Sequence, residues 1–576
     1  MFARIAVILI LLSPLSSIAE ESSASTSRHD EATVAQLQAQ MASGRLTSES
    51  LTRAYIARIL AFDQDGPGVN AVMELNPDAI AMARHADALR RMGKVLGPLH
   101  GIPVLLKGNI DTGDRMQTTA GSFGLKGAPA QRDSTVAGLL RAGGAVILGK
   151  TNLSEWANFR SSSSISGWSA VGGQTHNPYG INRNPCGSSS GSGAATSANF
   201  AAVSLGTETD GSIVCPGNAN GVVGIKPTVG LTSRAGVVPI SHTQDTVGPH
   251  GRTVADAAAA LSVIQSRKFD GRDPATGTVP LGWTGRTRPA HIPADYTQFL
   301  DTHGLRGARI GVTRQGVDSA PPQVIAAFDA AIDAITAAGA TVVDLDGAGF
   351  TFAPADGEFL VLLFEFRTDL ASYLASRAGV PLAGKTLTDA IAFNTAHSDA
   401  EMPFFGQDLF ELANSLPAGL DDPQPDFANM TYRQALEIDR LSGVNGIDKA
   451  LQTFDLDAVV APTDNPAWAT DLLYGDHFIF GSSSLAAGAG YPIVQVPAGM
   501  VFGIPLGISF FGTAFSEPTL IKLASGFEAV TRVRAQNPPT FAPEIPSDHI
   551  DGTTLNPPHK RQQNRAPEQH RVPHHI

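Results

Sequence analysis

Two serine-dense stretches hold the groups most able to do chemistry: Ser161 to Ser164, and Gly187-Ser188-Ser189-Ser190-Gly191-Ser192-Gly193. A serine hydroxyl is a poor nucleophile at neutral pH and needs a base. No Ser-His-Asp set is marked by any motif, so the candidate base is a lysine that has lost its charge. Bringing a lysine down from its ordinary pKa of about 10.4 requires burial among apolar groups. Lys107 ends the apolar run Ile102-Pro103-Val104-Leu105-Leu106, which can supply that burial. Lys150 and Lys226 are rival bases.

Composition alone would allow the serine loops to be linkers, but their context does not. The second loop runs into Ala194-Ala195-Thr196-Ser197-Ala198, then Ala202-Val203-Ser204-Leu205, then Gly206-Thr207-Glu208-Thr209-Asp210-Gly211-Ser212-Ile213. Flexible linkers are not set between small-residue helices and buried strands. The glycines are expected to let backbone approach a ligand or to aim N–H groups at one oxygen. Phosphate binding is excluded by the absence of a G-x-x-x-x-G-K-[ST] motif. Gly187 to Gly191 formally matches G-x-S-x-G, with Ser189 as the nucleophile of an α/β-hydrolase. That elbow must follow a buried strand, whereas Gly180-Ile181-Asn182-Arg183-Asn184-Pro185 is polar and contains proline.

Alternating elements must carry these loops. Leu51, Tyr55 and Ile59 share a helical face, with Thr47 or Ser48 as N-cap and Glu49 in the first turn. A second helix is expected from Asp78 to about Met92, and a third near Ser134 to Arg141. Strands are expected at 102–106 and 145–148. Arg309 to Val312, a helix over Pro322 to Ala337, and Thr341 to Asp344 read as a βαβ unit. Further strands fall at 457–460, 493–496 and 506–509. Thr276 to Pro293 and Leu416 to Asp426, rich in Pro, Gly or Thr, look like inserted surface segments. The implied architecture is α/β, a mixed twisted sheet covered by helices on both faces.

Four ordered motifs resemble the amidase signature family. They are Pro103-Val104-Leu105-Leu106-Lys107-Gly108-Asn109, Cys186 to Ser192, Gly206 to Ile213, and Gly221-Val222-Val223-Gly224-Ile225-Lys226-Pro227-Thr228. Weaker likeness continues through Ala461-Pro462-Thr463 and Gly503-Ile504-Pro505-Leu506-Gly507, so the resemblance spans roughly residues 33–541 and implies a single large α/β domain. It implies a hydrolase of carboxamides that releases ammonia: Ser212 the acyl-forming nucleophile, Ser188 the proton relay on a cis peptide, Lys107 the base. The backbone N–H groups of Thr209, Asp210, Gly211 and Ser212 would form the oxyanion hole, and Lys226 would be structural. Many relatives carry an arginine shortly after the nucleophile; here the stretch is Ile213-Val214-Cys215-Pro216, so small acidic amides lose that anchor. The run Gly206 to Pro216, with Asn152 to Phe159, looks most like members that remove the C-terminal amide of peptides without cutting internal bonds. By analogy Ser162, Asn158 and Cys215 would contact substrate. The alternatives are an amidase of small aliphatic or aromatic amides and a nonenzymatic binding protein on the same fold.

Composition sets the remaining bounds. Of 576 residues, 43% are hydrophobic and only 16% charged, against roughly 25% charged in an average domain. The net charge of −12 argues against nucleic acid as a partner. Basic Arg4, the apolar run Ile5 to Leu12 and small residues before Glu20 read as a signal peptide over 1–19, cleaved after Ala19. The mature chain is expected to be exported to the periplasm or beyond, with no membrane attachment, and to act as a monomer. Residues 551–576, with Pro557-Pro558 and dispersed basic residues and histidines, are expected to be disordered. No metal or organic cofactor is implied. Whether Cys186 and Cys215 are joined is left open by spacing.

Overall fold

Thr47 and Ser50 cap the helix Ser48–Ile59 reciprocally. The Thr47 hydroxyl accepts the Ser50 N–H at 3.0 Å, and the Ser50 hydroxyl takes the Thr47 N–H at 3.1 Å. Leu51, Tyr55 and Ile59 are buried, as their spacing requires. This is a computed structural model, and it describes residues 29–543 apart from 316, 318 and 319. The signal peptide over 1–19 and the tail over 551–576 lie outside the described residues.

Eleven strands build one mixed sheet. In chain order they are β1 (Val72–Leu75), β2 (Pro103–Lys107), β3 (Val146–Thr151), β6 (Val203–Glu208), β7 (Val223–Lys226), β8 (Thr246–Gly251), β9 (Arg309–Val312), β10 (Thr341–Asp344), β11 (Ala458–Pro462), β12 (Ile493–Val501) and β13 (Ile504–Phe511). A small separate hairpin joins β4 (Trp168–Ser169) to β5 (Gly173–Gln174). The sheet order is β1-β3-β2-β6-β8-β7-β12-β13-β11-β9-β10. The expected βαβ unit is present, with β9 and β10 parallel and the helix Pro322–Ala337 between them.

Period-two alternation shows that both faces of the sheet are covered. Along β11, Ala458 and Val460 join one apolar cluster while Val459 and Ala461 join another; Phe510 and Phe511 on β13 divide in the same way. A third cluster gathers side chains of the helices Glu358–Ala375, Leu387–Ala396 and Asp408–Ser415 against Trp156, Phe159, Val238 and Ile240. No helix among the described residues is long and apolar enough to cross a membrane.

The two segments expected as surface insertions are more deeply engaged than that. In the first, a Cβ on Gly282 would lie 2.9 Å from both Ala489 and Tyr491, and Trp283 Nε1 donates to Thr513 Oγ1 at 2.8 Å. In the second, Leu416 and Gln424 are buried. Proline and glycine punctuate these stretches, but their apolar side chains still dock on the core.

Candidate active site

Strands β2 and β6 run parallel and adjacent, with Leu106 opposite Leu205, so their carboxyl ends open at the same edge of the sheet. Ligands of α/β sheets collect at such ends. Lys107 is the last residue of β2, and its Nζ reaches Ser188 Oγ at 2.8 Å and Thr207 Oγ1 at 2.9 Å. Ser188 Oγ is in turn 2.8 Å from Ser212 Oγ. The three side chains therefore form one hydrogen-bonded line, with Lys107 and Ser188 fully buried and Ser212 8% exposed. The Gly187–Ser188 peptide is cis.

Burial brings Lys107 down to about 7, partly countered by the negative charges of Asp245 and Glu208. A large fraction of this amine is therefore neutral at physiological pH. The rival lysines are committed elsewhere. Lys150 Nζ donates to the Ile110 carbonyl and to Thr118 Oγ1, and Lys226 Nζ donates to the Tyr491 carbonyl at 2.7 Å. Ser189 is also unsuited to nucleophilic attack: its hydroxyl is fully buried and donates to the Thr207 carbonyl at 3.0 Å.

The turn after β6 holds its N–H groups in two sets. Those of Ile213 and Val214 both donate to Glu208 Oε2, at 2.6 and 3.0 Å. Those of Asp210, Gly211 and Ser212 meet no acceptor among the described residues. Gly211 adopts φ +76°, a left-handed conformation that glycine takes without steric cost. Thr209 Oγ1 donates to Asp245 Oδ1 at 2.6 Å, while Asp245 Oδ2 accepts from the Ile240 and Ser241 N–H groups. Asp245 thus anchors the turn from outside. Glycines of the serine loop are also needed for packing, while Gly187 borders the same opening as Ser212. A Cβ on Gly191 would sit 2.4 Å from the Ala71 carbonyl oxygen, and one on Gly187 2.1 Å from Ser154 Oγ, so both serve close packing within the protein.

Ser212 opens onto a cleft of about 520 Å³. Asn158, Ser162 and Cys215 line it as well, together with Thr209, Asp210 and Gly211. Cys186 and Cys215 are joined by a disulfide, their Cα atoms 5.9 Å apart. The opposite wall comes from a stretch that the serine motifs did not announce: Asp464, Trp468, Tyr474, Asp476, Phe478 and Ser484. One signal was present in the sequence, because Asp464 follows the apolar strand 458–462 much as Lys107 ends its own.

Residues 50–521 match the family described as Amidase. A probable amidase of Arabidopsis thaliana is 41% identical over 90% of this chain and 93% of its own. A putative amidase of Schizosaccharomyces pombe is 37% identical over 88% of this chain and 86% of its own. Among solved structures, the native peptide amidase of Stenotrophomonas maltophilia superposes with a TM-score of 0.79 at 48% identity, covering 89% of this chain and 99% of that one. A peptide amidase in complex with the competitive inhibitor chymostatin matches equally well. The fold and these likenesses define a hydrolase of carbon–nitrogen amide bonds. The chain belongs to the amidase family.

Proposed function

We propose that the chain hydrolyses the C-terminal carboxamide of peptides through an acyl-enzyme on Ser212. Neutral Lys107 takes the Ser188 proton as Ser188 takes that of Ser212, since a hydroxyl both donates and accepts. Ser212 Oγ then attacks the amide carbonyl, and the negative oxygen lies against the free N–H groups of the 209–212 turn, each donor being worth about 3 kcal/mol. Collapse breaks the C–N bond, and the proton returns along the same line to ammonia. Water, deprotonated along that line, frees the acid from Ser212. One observation carries this reading: the unbroken line from Lys107 to Ser188 to Ser212, both links at 2.8 Å.

A peptide substrate is supported by the 48% identity to a peptide amidase and by the exposed Tyr474 and Phe478 at the mouth of the cleft, which offer apolar surface to a longer chain. The test is mass spectrometry of C-terminally amidated peptides, their free acids and small aliphatic and aromatic amides. Peptide amides alone should become acids, with internal bonds intact and Ser212→Ala inactive. Conversion of small amides alone would refute the peptide assignment. The same reading takes 1–19 as an export signal and the mature chain as a monomer. N-terminal sequencing of extracytoplasmic protein should begin at Glu20, and light scattering should give a single-chain mass.

A further inference from the structure

The cleft above Ser212 is lined by three aspartates and, among the described residues, by no lysine, arginine or histidine. Their situations differ. Asp476 accepts from the Ser166 N–H at 3.0 Å and from Asn184 Nδ2 at 3.3 Å. Asp210 takes the Ser484 hydroxyl on Oδ2 at 2.6 Å, but its Oδ1 is buried with no partner. Asp464 is 1% exposed, and neither of its carboxylate oxygens has a partner. Gly481 leaves the space that this side chain occupies, since a Cβ there would meet Asp464 Oδ1 at 2.4 Å.

Buried polar groups in native proteins are nearly always satisfied, and an unsatisfied one at a cleft points to a partner that arrives with the ligand. The surroundings say which sign that partner carries. Burial first, then the charges of Glu208 and Asp210, push the Asp464 carboxyl well above the usual carboxylate range, so this acid gives up its proton when a positive charge is placed beside it. Glu208 adds to the same excess of negative charge: its Oε2 holds the Ile213 and Val214 N–H groups, and its Oε1 is likewise buried without a partner. A cation would satisfy both orphaned groups at once, whereas a second carboxylate would meet only like charge. Asp210 lies two residues before Ser212, so such a cation belongs close to the reacting carbonyl.

Building on the amidase reading of Ser212, we propose that Asp464 and Asp210 form a cation subsite. It selects an ammonium or guanidinium on the side chain of the residue that carries the reacting carboxamide.

The test compares three blocked dipeptide amides, acetyl-Ala-Lys-NH2, acetyl-Ala-norleucine-NH2 and acetyl-Ala-Glu-NH2, on the full chain. The lysine amide should exceed the norleucine amide in kcat/KM by about tenfold or more, and the glutamate amide should fall about tenfold or more below it. Asp464→Asn should bring the lysine-to-norleucine ratio to within about twofold of unity, as a carboxamide carries no charge to attract the ammonium. Asp210→Asn, at a less buried position, should lower the same ratio and serves if the first variant does not fold. Calorimetric binding of the three amides to Ser212→Ala reads the subsite without turnover. Equal binding and equal kcat/KM for lysine and norleucine would overturn the subsite while leaving amide hydrolysis intact, and so would an unchanged ratio in folded Asp464→Asn. Tighter binding of the lysine amide to Ser212→Ala, with no amide hydrolysed by the native chain, would sustain the subsite and refute the hydrolytic reading.

Discussion

Two cavities of similar size flank the turn anchored by Asp245, and they are built on opposite principles. The larger, about 730 Å³, is bordered by Asp111, Asp245, Asp273 and Asp369, and every one of these carboxylates is answered within the protein. Arg377 faces Asp111 at 3.4 Å, Arg234 holds Asp273 at 2.8 Å, and His242 Nδ1 meets Asp369 at 2.9 Å, while backbone N–H groups serve Asp245. The hydrogen bond to Asp369 comes first among the influences that hold His242 above its ordinary pKa. In the smaller cleft the carboxyl oxygens of Asp464, one oxygen of Asp210 and three successive backbone N–H groups are left unanswered. Volume therefore ranks the two in the wrong order. Among the carboxylates that border the two cavities, unmet hydrogen-bonding capacity sets the cleft at Ser212 apart.

Variants on the two sides should separate sharply. Ser212→Ala should lower kcat by about 10,000-fold or more in a continuous ammonia-release assay, because the covalent route is lost. Residual turnover within about tenfold of the native chain would move the chemistry away from this cleft.

Lys107→Arg fixes a positive charge where the working lysine is neutral and removes any base, since guanidinium does not deprotonate in proteins. Its kcat should fall by about 1,000-fold with KM little changed. The native pH profile sharpens the same point. The working form is neutral Lys107, so kcat should rise with pH, most steeply below about 7, and level off above it. A profile that falls from pH 6 to pH 8 would reverse the proton assignment.

Replacing both cysteines by serine should lower unfolding free energy by about 3 kcal/mol, read from urea transitions, because the bridge restricts the unfolded chain. The smallest effect belongs to the larger cavity. Arg132→Ala, at an exposed position on its rim, should leave kcat/KM within about twofold of native. A large loss there would erase the distinction between the two cavities.

Much of this arrangement was readable in the residues, and what was not has physical causes. The apolar run before Lys107 announced both a buried strand and a buried lysine at its end, and the motif around Ser212 placed the turn after β6. Thr47 signalled a helix start because capping is local. The helix Glu358–Ala375 offered no such sign. It contains Phe359-Leu360-Val361-Leu362-Leu363-Phe364, apolar on every side, so periodicity cannot say which face is inward. The cleft wall from Asp464 to Ser484 was hidden for another reason. It meets the serine loops only through the order of strands in the sheet, about 300 residues away in sequence, and beyond the carboxylate that follows the strand 458–462 composition and local spacing carry no information. The Cys186–Cys215 pairing was undecided for the same reason, since it depends on a distance across the fold.

That disulfide encloses more than two cysteines. Cys186 stands two residues before Ser188 and Cys215 three after Ser212, so both hydroxyls lie on one covalent ring with the helix Ser190–Ser197 and strand β6. A single protease cut anywhere between the two serines would leave them tethered through sulfur, at the high effective concentration that a short link maintains. After such a cut Ser188 and Ser212 stay joined, as one unit of the fold.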